Sequence, residues 1–238
     1  MEREEWISKI ILSSIPLRQL NEMRKPIGFA SGCLIDYCGK RLVLTVAHAT
    51  GNNENWGIEV KSVTNVGTQV YQIGAMMFLT VGNIDTDKIK DVDFSYATVP
   101  NDLEPFYHEI NEKGQVINQI PREILSIDFD LKPNKEKKYG FFGQSNFSTD
   151  NWYMFSQSKL VLDLKFVGIE DDYYKFKLPM KHPGHDYFKG TSGAPIIDSD
   201  GNTVALVCHG DEKEDIIYGI AINKYKSGLD IEVENFNK

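Results

Sequence analysis

The chain has 238 residues, 41% hydrophobic and 25% charged, enough apolar material for a packed core and too much for a disordered chain. Its 26 Lys and Arg against 34 Asp and Glu give a net charge of −8, which argues against nucleic acid or anionic membrane as a partner. No apolar run reaches the roughly 18 residues of a membrane-spanning helix, and the acidic start Met1-Glu2-Arg3-Glu4-Glu5-Trp6 makes a poor signal peptide.

Residues 3 to 20 predict a helix, with Trp6, Ile7, Ile10, Ile11, Ser14 and Ile15 on one face. Such a stripe either packs on the body of the protein or receives a partner. From Ile27 the pattern changes to short strands. Phe29 to Asp36 and Arg41 to Val46 form a pair joined by Tyr37-Cys38-Gly39-Lys40. Gly57 to Thr64, Gln69 to Val81 and Phe94 to Val99 continue it. Pro100 and Pro121 bracket a polar segment that reads as a linker, about 101–121. Tyr139 to Gly143, Ser156 to Gly168, Tyr173 to Leu178, Ala194 to Ile197, Thr203 to Cys208 and Ile216 to Asn223 supply a second set of strands. Many short strands with Gly and Asn turns predict an all-β barrel or sandwich.

The most informative stretch is Lys189-Gly190-Thr191-Ser192-Gly193-Ala194-Pro195. Glycines on either side let the backbone turn sharply and present the Ser192 hydroxyl to a bound carbonyl. The same turn can aim the amides of Gly190 and Ser192 at an oxygen that becomes negative. A lone serine is a weak nucleophile and needs a base and an orienting acid. Leu42-Val43-Leu44-Thr45-Val46-Ala47-His48 is an apolar strand ending in a histidine. Asp91-Val92-Asp93-Phe94-Ser95-Tyr96-Ala97 opens an alternating strand with two candidate acids, Asp93 and its rival Asp91. His182 and His185 flank Pro183-Gly184, but with no third ligand nearby they read as a surface loop and not as a metal site.

Four pieces carry a resemblance: Ser31-Gly32-Cys33-Leu34-Ile35, Thr45-Val46-Ala47-His48, Asp93-Phe94-Ser95 and Gly190-Thr191-Ser192-Gly193-Ala194-Pro195. In this order the chain resembles the chymotrypsin/trypsin-like serine peptidases. The resemblance implies two packed antiparallel six-stranded β-barrels preceded by a short helix. It divides the chain into a lead-in over 1–26, a first barrel over 27–110 and a second over 111–238. It implies Ser192 as nucleophile, His48 as general base, Asp93 as the acid orienting His48, and Gly190 and Ser192 N–H as the oxyanion hole. Substrate would lie extended against Val207, Cys208, His209 and Gly210, with Cys208 where the family has a serine that supports the aspartate. Asp186, six residues before Ser192, would sit at the base of the first specificity pocket, with Gly210 and Gly219 leaving it open.

Two departures from the secreted members point to the bacterial or intracellular, HtrA-like branch. Thr191 stands where zymogens carry an aspartate, so activation by N-terminal trimming is not expected. Ala49 and Ala30 replace the cysteines that flank the family's histidine and its glycine-rich strand. Cys33, Cys38 and Cys208 are an odd set and no disulfide framework. The expectation is a cytoplasmic serine endopeptidase acting on protein or peptide substrates, without cofactor or metal. It would be restrained by a regulatory partner or by oligomerisation. The alternative is a catalytically weak or inactive domain of the same fold used as a peptide-binding module. An esterase or other non-peptide hydrolase would share the nucleophile, but the Ser-Asp-His order and the Gly-x-Ser-x-Gly elbow of the α/β-hydrolases are both missing from this sequence.

Overall fold

The computed structural model describes residues 1–51, 55–63, 67–83, 88–113, 115–150 and 153–235. Helix α1 (Arg3–Ser13) leads into β1 (Ile15–Leu20), β2 (Pro26–Tyr37) and β3 (Lys40–Thr45). The one-turn helix α2 (Ala47–Thr50) precedes β4 (Trp56–Val63), β5 (Gly67–Gln72), β6 (Met77–Asn83) and β7 (Lys88–Val99). Next come β8 (Phe106–Ile110), β9 (Val116–Pro121), β10 (Lys138–Asp150), β11 (Tyr153–Glu170) and β12 (Tyr173–Lys177). A second one-turn helix, α3 (His185–Phe188), precedes β13 (Pro195–Asp198), β14 (Thr203–Asp211) and β15 (Ile216–Ala221). A 3-10 turn (Ile222–Tyr225) and helix α4 (Lys226–Asn235) follow.

The strands form two units. The second is a closed six-stranded barrel in the order β10-β11-β12-β15-β14-β13. The first is a seven-stranded sheet, β5-β4-β1-β2-β3-β7-β6. Its corner is in β2, whose first half pairs with β1 (Ile15↔Gly32) and whose second half pairs with β3 (Cys33↔Leu44). One apolar cluster fills each unit, around Leu17, Leu34 and Ile58 in the first and Phe141, Phe176 and Ile196 in the second. A third cluster, with Phe94, Phe142, Leu206 and Leu229, joins them. Among the described residues no helix is long and apolar enough to cross a membrane.

The helix expected over 3–20 stops at Ser13, and Ser14 is already extended. Pro16 is the cause. It lacks an N–H, and it disfavours helical geometry at Ile15. The predicted hairpin turn is a two-residue loop with Cys38 at φ 49° and Gly39 at φ 79°, the type I′ geometry that suits a twisted ribbon. The strand expected over Gln69 to Val81 is two strands, since β5 pairs with β4 and β6 with β7. The last residue of the expected strand Gly57 to Thr64 lies outside the described residues. The 101–121 segment carries its own hairpin, β8–β9. Helix α4 was not anticipated, because Leu229 and Val233 are its buried apolar anchors and Gly228 interrupts the pattern. The two ends of the chain cross over. Helix α1 packs on β10 and β13, while α4 reaches the first sheet, where Glu232 accepts from the Thr98 hydroxyl.

Candidate active site

His48 follows β3 on the short helix α2, and Asp93 lies on β7, the antiparallel neighbour of β3. The register Thr45↔Ser95 carries past the end of β3, so Asp93 comes opposite the residues leading into His48. Asp93 Oδ1 accepts the His48 backbone N–H at 2.8 Å, and Oδ2 lies 2.7 Å from His48 Nδ1. An ionised carboxylate only accepts, so Nδ1 carries the ring proton and Nε2 is left as an acceptor. Ser192 Oγ is 3.0 Å from that Nε2. Asp91 is exposed, pairs with Thr80 across the sheet, and takes no part in this chain of bonds.

Asp93 has a third donor. The Cys208 thiol is 2.7 Å from the same Oδ2 that His48 uses. Burial pushes the Asp93 carboxyl upward, but the His48 ring, the Cys208 thiol and the His48 N–H outweigh it and hold Asp93 below the ordinary carboxylate value. Burial, then the nearby Asp93 charge, push the Cys208 thiol far up, so it stays protonated and donates. His48, Asp93 and Cys208 are also the group of three metal-capable side chains that lies within 4.8 Å among the described residues. Their mutual hydrogen bonds account for that closeness.

The glycines around Ser192 are dictated by space as well as by conformation. Gly190 has φ 95°, and a Cβ there would fall 1.9 Å from the Phe29 ring. Gly193 has φ 89°, and a Cβ there would fall 2.1 Å from the Ser31 carbonyl oxygen. Lys189 (φ −56°, ψ 120°) and Gly190 are the centre of a type II turn closed by Thr191 N–H to Phe188 O at 2.9 Å. Thr191 also donates its hydroxyl to Phe188 O, at 2.8 Å, so its side chain is satisfied within the turn. Among the described residues the N–H groups of Gly190 and Ser192 have no acceptor, and both residues line the cleft. They can receive a developing oxyanion.

Ser31 is a site residue that the sequence offered only as part of a strand motif. Its N–H donates to Ser192 O at 3.0 Å, and its hydroxyl donates to Gly190 O at 2.8 Å. The hydroxyl also accepts Gln144 N–H at 2.8 Å, and Thr45 donates to its carbonyl. One residue of the first sheet thus pins the Ser192 turn to the second barrel. A small hydroxyl residue before a glycine-rich strand was the available signal.

A cleft of about 560 Å³ opens beside these groups. Val207, Cys208, His209 and Gly210 are among the residues that line it. Strand β13 pairs with β14 as far as Leu206, and Val207 is still bonded to the Ser192 turn, donating to Ala194 O and accepting the Gly193 N–H, both at 2.8 Å, so the β14 edge that faces the cleft begins beyond Val207. Asp186 is a correction. It is exposed on α3 and does not line the cleft. A single helical turn has one inward side, and Phe188 takes it, 8% exposed and against Phe141. Gly219 is another correction, since it lies among Ile196, Ala205 and Phe176 in the barrel interior. The His182 and His185 loop is only half a surface loop. His185 is exposed, but His182 is buried with its ring edge on Phe188.

No family model matches the chain, and no curated protein matches it in sequence. Solved structures do match in shape. The serine endoprotease of Yersinia pestis superposes with a TM-score of 0.57 at 10% identity, over 98% of this chain and 67% of that one. Neuropsin, a serine protease of mouse brain, gives 0.59 at 13% identity, over 94% of this chain and 96% of that one. Human heparin binding protein gives 0.55 at 10% identity, over 94% and 91%. At such identities the likeness establishes the chymotrypsin-like two-barrel fold, and the reaction must be read from the site.

Proposed function

We propose that this chain is a serine endopeptidase that hydrolyses protein or peptide substrates through Ser192, His48 and Asp93. The observation that carries the proposal is the unbroken chain of hydrogen bonds Asp93 Oδ2–His48 Nδ1 (2.7 Å) and His48 Nε2–Ser192 Oγ (3.0 Å). Ser192 Oγ attacks the scissile carbonyl while its proton passes to His48 Nε2. The carbonyl oxygen becomes negative and is held by the N–H groups of Gly190 and Ser192. His48 then gives the proton to the leaving amine, and an acyl-enzyme forms. Water enters, His48 takes its proton, and collapse of the second tetrahedral species returns the proton to Ser192. The Asp93 carboxylate keeps Nδ1 protonated throughout and stabilises the imidazolium. The open β14 edge supports strand addition by an extended substrate.

Labelling with a fluorophosphonate probe tests the nucleophile. Wild type should label at Ser192, and Ser192→Ala and His48→Ala should not. A second reading keeps the fold as a peptide-binding module without chemistry. One observation favours it: the Ser192 hydroxyl also lies 3.1 Å from Cys208 O, an acceptor that competes with His48 for its one proton. Peptide binding with no labelling of wild type would decide for that module. Cys33 and Cys208 are buried, Cys38 is exposed and none is bonded to another, which supports a reducing, cytoplasmic setting for the HtrA-like branch. Restraint by a partner protein or by self-assembly belongs to the same proposal.

A further inference from the structure

His182 carries a polar atom with nothing to bond to among the described residues. Its backbone N–H donates to Asp215 Oδ1 at 2.8 Å, and its Nδ1 accepts Gly184 N–H at 3.1 Å. With Nδ1 engaged as an acceptor, the ring proton is on Nε2. That Nε2 is buried and, among the described residues, has no hydrogen-bond partner. The residue is 8% exposed and lines the cleft that also holds His48 and Ser192. Nε2 lies against Gly210, where a Cβ would come within 2.5 Å of it. A buried, unpaired donor costs stability and is kept where something else completes it.

The rest of the wall decides what completes it. Phe188, Val207 and Ile217 are apolar, so they accept the stem of a side chain. Lys189 and His185 supply basic side chains to the lining. Among the described residues Asp93 is the one carboxylate lining the cleft, and His48 and Cys208 already occupy it. A lysine or arginine side chain would find no counter-charge there.

Resting on the peptidase assignment above, we propose that His182 selects the residue before the scissile bond. The pocket takes a side chain of glutamine or glutamate length whose terminal oxygen accepts the His182 Nε2–H. The aliphatic stem lies along Phe188 and Ile217, and the oxygen satisfies the buried donor. Gly210 is the residue that lets the ring approach the cleft.

The test uses matched peptides with Gln, Glu, Met, Leu or Arg before the scissile bond. Their kcat/KM is measured on wild type, His182→Leu, His182→Gln and Gly210→Ala, and their affinity is measured by calorimetry on Ser192→Ala. Wild type should favour Gln or Glu over Met, Leu and Arg by roughly tenfold or more, the scale of one hydrogen bond to a buried donor. Met has the length of Gln without the acceptor, so the Gln-to-Met ratio reads the bond itself. The Gln and Glu arms separate an amide from a carboxylate oxygen. That ratio should fall to about one in His182→Leu and Gly210→Ala, and His182→Gln should restore part of it. A profile led by Arg or Leu, or a ratio unchanged in all three variants, would overturn the assignment while leaving Ser192 chemistry intact. If no peptide is cleaved, the peptidase assignment fails. Ranked binding to Ser192→Ala would then still support the pocket, and unranked binding would overturn it.

Discussion

The Cys208 thiol and the His48 ring donate to the same oxygen of Asp93, each at 2.7 Å. Asp93 is therefore held from two sides by neutral donors and from a third by a backbone N–H. A thiol is a weak donor. Replacing it with a hydroxyl should keep the bond, whereas removing it should loosen Asp93. Cys208→Ser should retain or raise kcat, and Cys208→Ala should lower kcat several-fold with little change in KM. Steady-state kinetics of both variants checks this, and equal loss in both would show that packing rather than the bond matters.

The three thiols should differ in reactivity. Burial pushes Cys33 up to about 12 and Cys208 further, so neither offers a thiolate near neutral pH. Cys38 is exposed. Iodoacetamide followed by mass spectrometry should modify Cys38 in the folded protein and all three after denaturation. A Cys33–Cys38 bridge in the unreduced protein would contradict the structure.

His48, Asp93 and Ser192 should behave as a unit. Ser192→Ala, His48→Ala and Asp93→Asn should each lower peptide hydrolysis by several orders of magnitude, and double variants should be little worse than singles. Asp91→Asn should be mild, because Asp91 is exposed and touches neither His48 nor Ser192. The reverse result for the two aspartates would reassign the acid.

Ser31 should act through the turn it holds. Ser31→Ala removes the bond to Gly190 O and strands the Gln144 N–H, a loss of about 1–3 kcal/mol in stability. The Ser192 turn should also lose its alignment, lowering kcat more than it raises KM. Ser31→Thr, which keeps the hydroxyl, should recover part of the rate. Melting curves and kinetics together distinguish this positioning role from a purely structural one.

Arg18 on β1 ties the two units together through Glu59 (2.7 Å), Gln144 (3.0 Å) and Ser156 (3.3 Å). Burial pushes the Glu59 carboxyl up, but the charges of Arg18, His108 and Arg122 and the bond from Arg18 bring it below its ordinary value. A depressed carboxylate stabilises the fold above its unfolded pKa and loses that contribution as pH falls through the folded value. Stability should therefore drop on acidification below about pH 4. Glu59→Gln should cost about 3–5 kcal/mol at neutral pH and flatten the acid limb. Urea melts across pH on both proteins measure it, and an unchanged acid limb in the variant would remove Glu59 as its source.

From the sequence alone came most of the strands, though not β1, the break between β5 and β6 or the β8–β9 hairpin, together with the hairpin at Cys38-Gly39 and the residues that stand at strand ends near the cleft. Those features follow local rules: a period of two, a glycine where φ must be positive, and a histidine closing an apolar run. The partner of each such residue was decided in three dimensions. Asp93 rather than Asp91 meets His48 because β3 and β7 pair in one register, and a two-residue step along a strand is about 6.6 Å. Asp186 misses the cleft and His182 enters it because α3 is one turn long and buries Phe188. The bonds of Ser31 to the Ser192 turn and of Cys208 to Asp93 join residues more than a hundred positions apart. No local pattern encodes such contacts, because they exist only once the two units have packed and closed the cleft between them.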